Sequence, residues 1–209
     1  FNFLYIMKNM DEIEQLNQKG FVLKKGFFNP QELDNLKDEG QKIFFNQIES
    51  KPFVILDTFK LYMDIAKSEL KKIISKSNLL CINYNEAIYL CGLKNPNLED
   101  MAKYILDMGS DSLIIKQGED GASFFDNNNH FSIGAYPVKK VMDTTGAGDS
   151  FAGGLLSSKM SGKNIQDSMI SGATMASFCI ENIAHKGLIG FSDEEYSIRK
   201  EWIKSSLTY

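Results

Sequence analysis

The chain has 209 residues, enough for one or two domains, and its 43% of hydrophobic side chains can fill a sizeable core. A formal net charge of −4 leaves no basic field to attract a polyanion, which argues against a nucleic-acid partner, and no run approaches the ~20 apolar residues needed to span a bilayer. Cys81, Cys91 and Cys179 are odd in number, widely spaced and set in apolar surroundings, so they read as reduced core thiols of a cytoplasmic protein. A zinc site finds no Cys-x-x-Cys pair here, and His130 and His185 sit in solvated loop contexts. The first ten residues are apolar but are followed at once by Asp11, Glu12 and Glu14, which is not the make-up of a secretory signal.

Residues 1–50 differ in texture from the rest. Positions 10–17 have the spacing of a short amphipathic helix stopped by Gly20, and 21–24 form a strand-like fragment. A second helix starts at Asn29-Pro30, where the amide that proline lacks would go unpaired anyway, and runs through Leu33, Leu36 and Ile43. The stretch Leu16-Asn17-Gln18-Lys19-Gly20-Phe21-Val22, followed by Gly26-Phe27-Phe28-Asn29-Pro30-Gln31-Glu32-Leu33, resembles the opening of the phytanoyl-CoA dioxygenases. That family holds iron with His-x-Asp and a distal His, and neither histidine here has an acid two residues later, so the resemblance implies a segment without the chemistry.

The texture changes near Ser50-Lys51-Pro52, and from there strands and helices alternate as in a layered α/β domain. Residues 53–56 are apolar and closed by Asp57, the pattern of a buried parallel strand. A helix is expected over 61–74, a strand over 78–82 ending at Asn83, and a helix from Glu86 to Cys91. Another helix over 98–108 precedes a strand over 112–116. Gly121 marks a turn into a strand over 122–125, and Asp126-Asn127-Asn128-Asn129 a hairpin loop. Strands over 131–136 and 138–141 follow, then helices over 150–160, 165–180 and 193–205.

The most informative stretch is Asp143-Thr144-Thr145-Gly146-Ala147-Gly148-Asp149-Ser150-Phe151-Ala152-Gly153-Gly154. Glycines followed by an acid and a small, apolar run describe a loop feeding a helix whose first amides have no intrahelical partner. Those amides and the helix dipole suit a phosphate, while Asp149 suits a proton leaving an attacking hydroxyl. Read on residues alone, Asp149 serves equally well as an ordinary helix cap.

The run as a whole resembles the C-terminal signature of the ribokinase-like sugar and nucleoside kinases, the PfkB family. That resemblance implies Asp149 as catalytic base, the amides of Gly146, Ala147 and Gly148 as the phosphoryl cradle, Thr145 beside it, and Asp143 as the acid that in some members helps hold a monovalent cation such as K+. Asn83-Tyr84-Asn85-Glu86 reads as a capped helix start, Asn83 as cap and Glu86 closing the box. In the family an Asn-x-x-Glu motif at the corresponding strand end orders Mg2+ and phosphate through water, and both roles are compatible.

Lys116 ends the strand before Gly118 and Gly121, in a stretch that resembles the family's nucleotide-side turn, where it either neutralises phosphate or extends its ammonium into solvent. The small residues of 171–179 fit close helix packing, and in the family the equivalent helix lines the adenine pocket, which implicates Ala173, Ala176 and Ser177. Asp57-Thr58 is a strand-ending turn and resembles a dipeptide of one nucleoside-like branch.

The fold implied is a ribokinase-like layered sheet with helices on both faces, confined to the C-terminal part of a PfkB domain over 51–209. The N-terminal half, with its acceptor pocket and lid, is expected to be missing. The function implied is ATP-dependent phosphotransfer to a sugar or nucleoside hydroxyl. An incomplete sheet favours association with a second copy or a completing partner chain, and a chain without turnover would be a nucleotide-binding or oligomerising module derived from such a kinase.

Overall fold

The computed structural model describes residue 31 and residues 53–209, Phe59 excepted. The chain divides into two units, Phe1–Ser50 and Lys51–Tyr209, and the account below concerns the second. The readings of residues 1–50, the dioxygenase-like stretch among them, lie outside the described residues apart from Gln31, which is helical and exposed.

Five strands form one sheet in the order β1-β2-β3-β4-β5. They are β1 (Ile55–Asp57), β2 (Leu79–Asn83), β3 (Ser112–Lys116), β4 (Ala122–Asp126) and β5 (His130–Ile133). The first three run parallel, with Asp57 opposite Cys81 and Asn83 opposite Lys116. β4 and β5 return antiparallel, as the Asp126-Asn129 turn demands. Because β2 and β3 are covered on both faces, residues 79–82 and 113–115 are apolar without alternation.

Helices α1 (Lys60–Ile65), α2 (Lys67–Ile74), α3 (Tyr84–Cys91) and α4 (Leu98–Leu106) supply one core with Leu80, Ile82, Leu113 and Ile115. Helices α5 (Ala147–Met160), α6 (Ile165–Cys179) and α7 (Asp193–Ser205) supply the other with Leu79, Cys81 and Ile114. Alternate residues of one strand thus feed opposite layers. Among the described residues no helix is long and apolar enough to cross a membrane.

Several expectations change. The strand expected over 131–136 ends at Ile133, and the helix expected from 150 begins at Ala147, so that Gly148 and Asp149 lie within its first turn. The helix expected over 61–74 is two helices, because Ala66 leaves the helical region (φ −141°, ψ 42°) and its carbonyl then receives the Leu70 amide that starts α2. The first strand is short and half-buried; Val54 lies ahead of it, its amide held by the Asn78 side chain at 2.8 Å. The valines of 138–141 form no strand, since Pro137 brings no amide and the Val138 amide turns back to the Tyr136 carbonyl at 2.9 Å.

Candidate active site

The parallel strands all end at one edge of the sheet, where open α/β sheets present ligands. Each apolar run closes with a polar residue there: Asp57, Asn83 and Lys116. Lys116 Nζ donates to Asp57 Oδ1 at 2.9 Å, although β2 runs between their strands. Thr58, the next residue, is buried and donates its hydroxyl to Glu86 Oε2 at 3.2 Å.

Asn83 and Glu86 form the expected capping box. The Asn83 side chain accepts from the Glu86 amide at 2.9 Å, and Glu86 Oε2 accepts from the Asn83 amide at 3.4 Å. Glu86 is nearly covered, at 9% exposure, and among the described residues its Oε1 takes no bond. A groove of about 760 Å³ runs along this edge, with Asn83, Asn97, Lys116, Gly118 and Asp120 in its walls.

The glycine stretch reaches the same edge from the opposite layer. Gly146 adopts φ +81° as the residue before α5, a left-handed turn that glycine makes at no steric cost. The Gly148 and Asp149 amides, in the first turn of α5, have no carbonyl within the helix, and no side chain caps that turn. A Cβ built on Gly148 would lie 3.2 Å from Lys116 Nζ and 3.7 Å from Asp57 Oδ2. Gly148 therefore lets the Lys116 ammonium stand against the first turn of α5, where a methyl would crowd it. A helix end with unpartnered amides beside an ammonium suits a phosphate.

Asp149 is exposed on the first turn of α5 and opens on a second groove, of about 610 Å³, with Gly153, Lys163, Met175 and Lys200 in its walls. Asp143 Oδ1 accepts from the Thr145 amide at 2.9 Å, which closes the loop ahead of the cradle. The Thr145 carbonyl in turn accepts from the Cys179 thiol at 3.5 Å.

The remaining candidates are spread more widely. Gly118 has φ +66° with open space around it. At Gly121, φ is +92° and an added Cβ would lie 1.9 Å from the Ile133 carbonyl oxygen, so its glycine serves the close approach of β4 and β5. Ala173 and Ala176 pack against the core beside α5 and line neither groove. Ser177 is buried, donating to the Thr174 carbonyl at 2.7 Å and accepting from Arg199 at 3.1 Å. Sequence reasoning missed the tie of Asp57 to Lys116 and of Thr58 to Glu86. The available signal was three successive apolar strands, each closed by a polar residue.

Among the described residues no three His, Cys, Asp or Glu side chains gather closely enough to hold a bare metal ion. One carboxylate oxygen at Glu86, near an anion spot, suits a hydrated ion carried mostly by its ligand, as Mg2+ is carried by phosphates.

Comparison with known proteins gives the family and the fold. The model of the pfkB family carbohydrate kinases matches residues 8–186, and so runs across most of the segment that resembles the dioxygenases. A nucleoside kinase of Methanocaldococcus jannaschii is 31% identical over 116 residues, which cover 56% of this chain and 37% of that protein. A ribokinase of Staphylococcus aureus is 30% identical over 133 residues, covering 62% and 43%. The chain spans about half the length of the relatives it matches or less. The crystal structure of the M. jannaschii nucleoside kinase superposes with a TM-score of 0.60 at 26% identity, over 73% of this chain and 49% of the other. In fold, an Escherichia coli protein solved with ATP and Mg2+ is also similar, with a TM-score of 0.63 at 21% identity over 85% and 56%. A five-stranded mixed sheet layered by helices, with this loop at its carboxyl edge, is a ribokinase-like fold, and the chain belongs to the pfkB family of carbohydrate kinases.

Proposed function

We propose that this chain carries the phosphoryl-transfer part of a cytoplasmic, ATP-dependent kinase acting on an alcohol group of a sugar or nucleoside. The observation that supports the reading is the Lys116 ammonium standing against Gly148 in the first turn of α5, with Asp149 the next residue. Asp149 takes the proton of the attacking hydroxyl. The Gly146 and Gly148 amides and the Lys116 ammonium stabilise the charge that develops on the phosphoryl oxygens, and the Ala147 amide, held by the Thr144 carbonyl at 3.1 Å, joins them only by leaving that bond. Asn83 and Glu86 would hold the waters of a bound Mg2+, which supplies charge neutralisation along the phosphates. Asp143, half-buried beside the loop, is the residue that would face a monovalent cation. The turn between Gly118 and Gly121, with Ala173, Ala176 and Ser177 of α6, is the candidate for the base side of the nucleotide.

The test is calorimetry of ATP binding to the 209-residue chain beside turnover with ribose, fructose and adenosine. Transfer to one acceptor supports the kinase. Binding without turnover favours a nucleotide-binding or oligomerising module derived from such a kinase. Absence of ATP binding refutes the kinase and the nucleotide-binding module. Light scattering on the same sample tests the expected association with a second copy.

A further inference from the structure

Asp57 occupies an unexpected place for a carboxylate if the glycine loop holds phosphate. Its Oδ1 accepts from Lys116 Nζ at 2.9 Å. Its Oδ2 lies 3.7 Å from the point where a Cβ on Gly148 would sit, while Lys116 Nζ lies 3.2 Å from that same point. The two side chains belong to β1 and β3 and meet across the end of β2, close to buried Cys81. Only 16% of the lysine side chain and 30% of the aspartate are exposed, so solvent does not fully screen either charge.

An anion seated against Gly148 thus meets an ammonium whose charge is already matched. The matching carboxylate is within half an ångström as near to the spot as the ammonium. For a singly charged anion, attraction and repulsion nearly cancel, leaving the helix end alone to hold it. A chain of phosphates is different, because one group can rest on the amides while another draws Lys116 off Asp57.

We propose that Asp57 is a built-in counter-ion which a phosphate ligand must displace from Lys116, making it a specificity residue that turns away simple anions and admits polyphosphates. The proposal rests on the reading of residues 146–148 as a phosphate cradle.

The test titrates the full chain with inorganic pyrophosphate by calorimetry, in EDTA and at low ionic strength, for the wild type, Asp57→Asn, Asp57→Glu, Lys116→Met and the Asp57→Asn/Lys116→Met pair. Asp57→Asn is expected to tighten binding about tenfold, which is about 1.4 kcal/mol, and to steepen its salt dependence. Asp57→Glu keeps the wild-type affinity. In the Lys116→Met background the Asp57→Asn gain disappears, because it acts through the lysine. Thermal melts monitor folding, and Asp57→Ser replaces Asp57→Asn should the latter melt early. Wild-type binding with equal or weaker binding by the neutral Asp57 variants overturns the counter-ion alone. If neither wild type nor variants bind pyrophosphate, the cradle itself is refuted, and the counter-ion with it.

Discussion

Gly148→Ala separates a ligand-facing glycine from a packing glycine. The position lies in the first turn of α5 and outside the left-handed region, so alanine meets no backbone strain and contributes up to about 1 kcal/mol of helix propensity. The added Cβ would stand 3.2 Å from Lys116 Nζ, the tip of a flexible side chain that clears it by a few tenths of an ångström. Disturbing a partly exposed Lys116–Asp57 pair costs at most about 1 kcal/mol. The two terms offset, so stability should stay within about 1 kcal/mol and the melting temperature within about 4 °C. Ligand binding should not escape. The methyl keeps a phosphate oxygen from approaching the Gly148 amide and the ammonium closely, and each charge-assisted hydrogen bond lost there removes about 1.5–3 kcal/mol. ATP affinity measured by calorimetry should therefore fall about 10- to 100-fold while the melt is nearly unchanged. Retained affinity with an unchanged melt would show that no phosphate rests on Gly148.

Asp149→Asn should lower the turnover of any active form by about 10²- to 10⁴-fold while ATP binding persists, and full activity would remove Asp149 from the role of base. Gly172→Ala places a Cβ 2.6 Å from the Phe151 carbonyl oxygen and should cost about 1–3 kcal/mol, whereas Gly153→Ala meets nothing within 4 Å and should be neutral or stabilising by up to about 1 kcal/mol; denaturant melts separate the two. Desolvation raises the Asp126 carboxyl, but hydrogen bonds from the Asn128 and Asn129 amides and the Asn129 side chain outweigh it and hold the group below its ordinary value. With the folded value lower than the unfolded one, its stabilisation is complete above about pH 4 and fades as pH falls through the lowered value. Asp126→Ala should thus cost about 1 kcal/mol at neutral pH and little in strong acid. Burial pushes the Cys81 thiol up to about 12 and Cys91 to about 11, so alkylation at pH 8 should spare both until the chain unfolds.

What the sequence made legible were features decided by neighbours in the chain. β3 appears over the residues expected, because an unbroken apolar run bounded by polar ends has one comfortable place. The span of α7 is equally local: Ser192 caps it and Glu195 returns the bond, three residues on. The break at Ala66 was not legible, since neither glycine nor proline marks it, and the valines of 138–141 misled because their β propensity says nothing about an available partner strand. At the site, the glycine loop was visible as a motif. The ties from Asp57 to Lys116 and from Thr58 to Glu86 span 59 and 28 residues and exist only because the parallel order β1-β2-β3 brings those strand ends together.

The glycines around the loop carry two different demands, and what a Cβ would meet tells them apart. At Gly154 and Gly172 it would strike the facing helix, at 2.9 Å from the Ser171 oxygen and 2.6 Å from the Phe151 oxygen, so these residues let α5 and α6 lie in close contact. That contact matters to the cradle because α6 also anchors the loop. The amides of Met142 and Asp143 both donate to the Ile180 carbonyl, at 2.8 and 3.4 Å, and the Cys179 thiol reaches the Thr145 carbonyl. α6 is in turn fixed by Arg199 of α7, whose guanidinium lies 3.8 Å from the Phe178 ring centroid and pairs with Glu181. The start of α5 is therefore positioned by the C-terminal end of α6 and by the close packing of the two helices. Position supplies most of the rate in phosphoryl transfer, so under the proposed function Gly154 and Gly172 serve the loop without touching a ligand, by fixing where the start of α5 stands against α6.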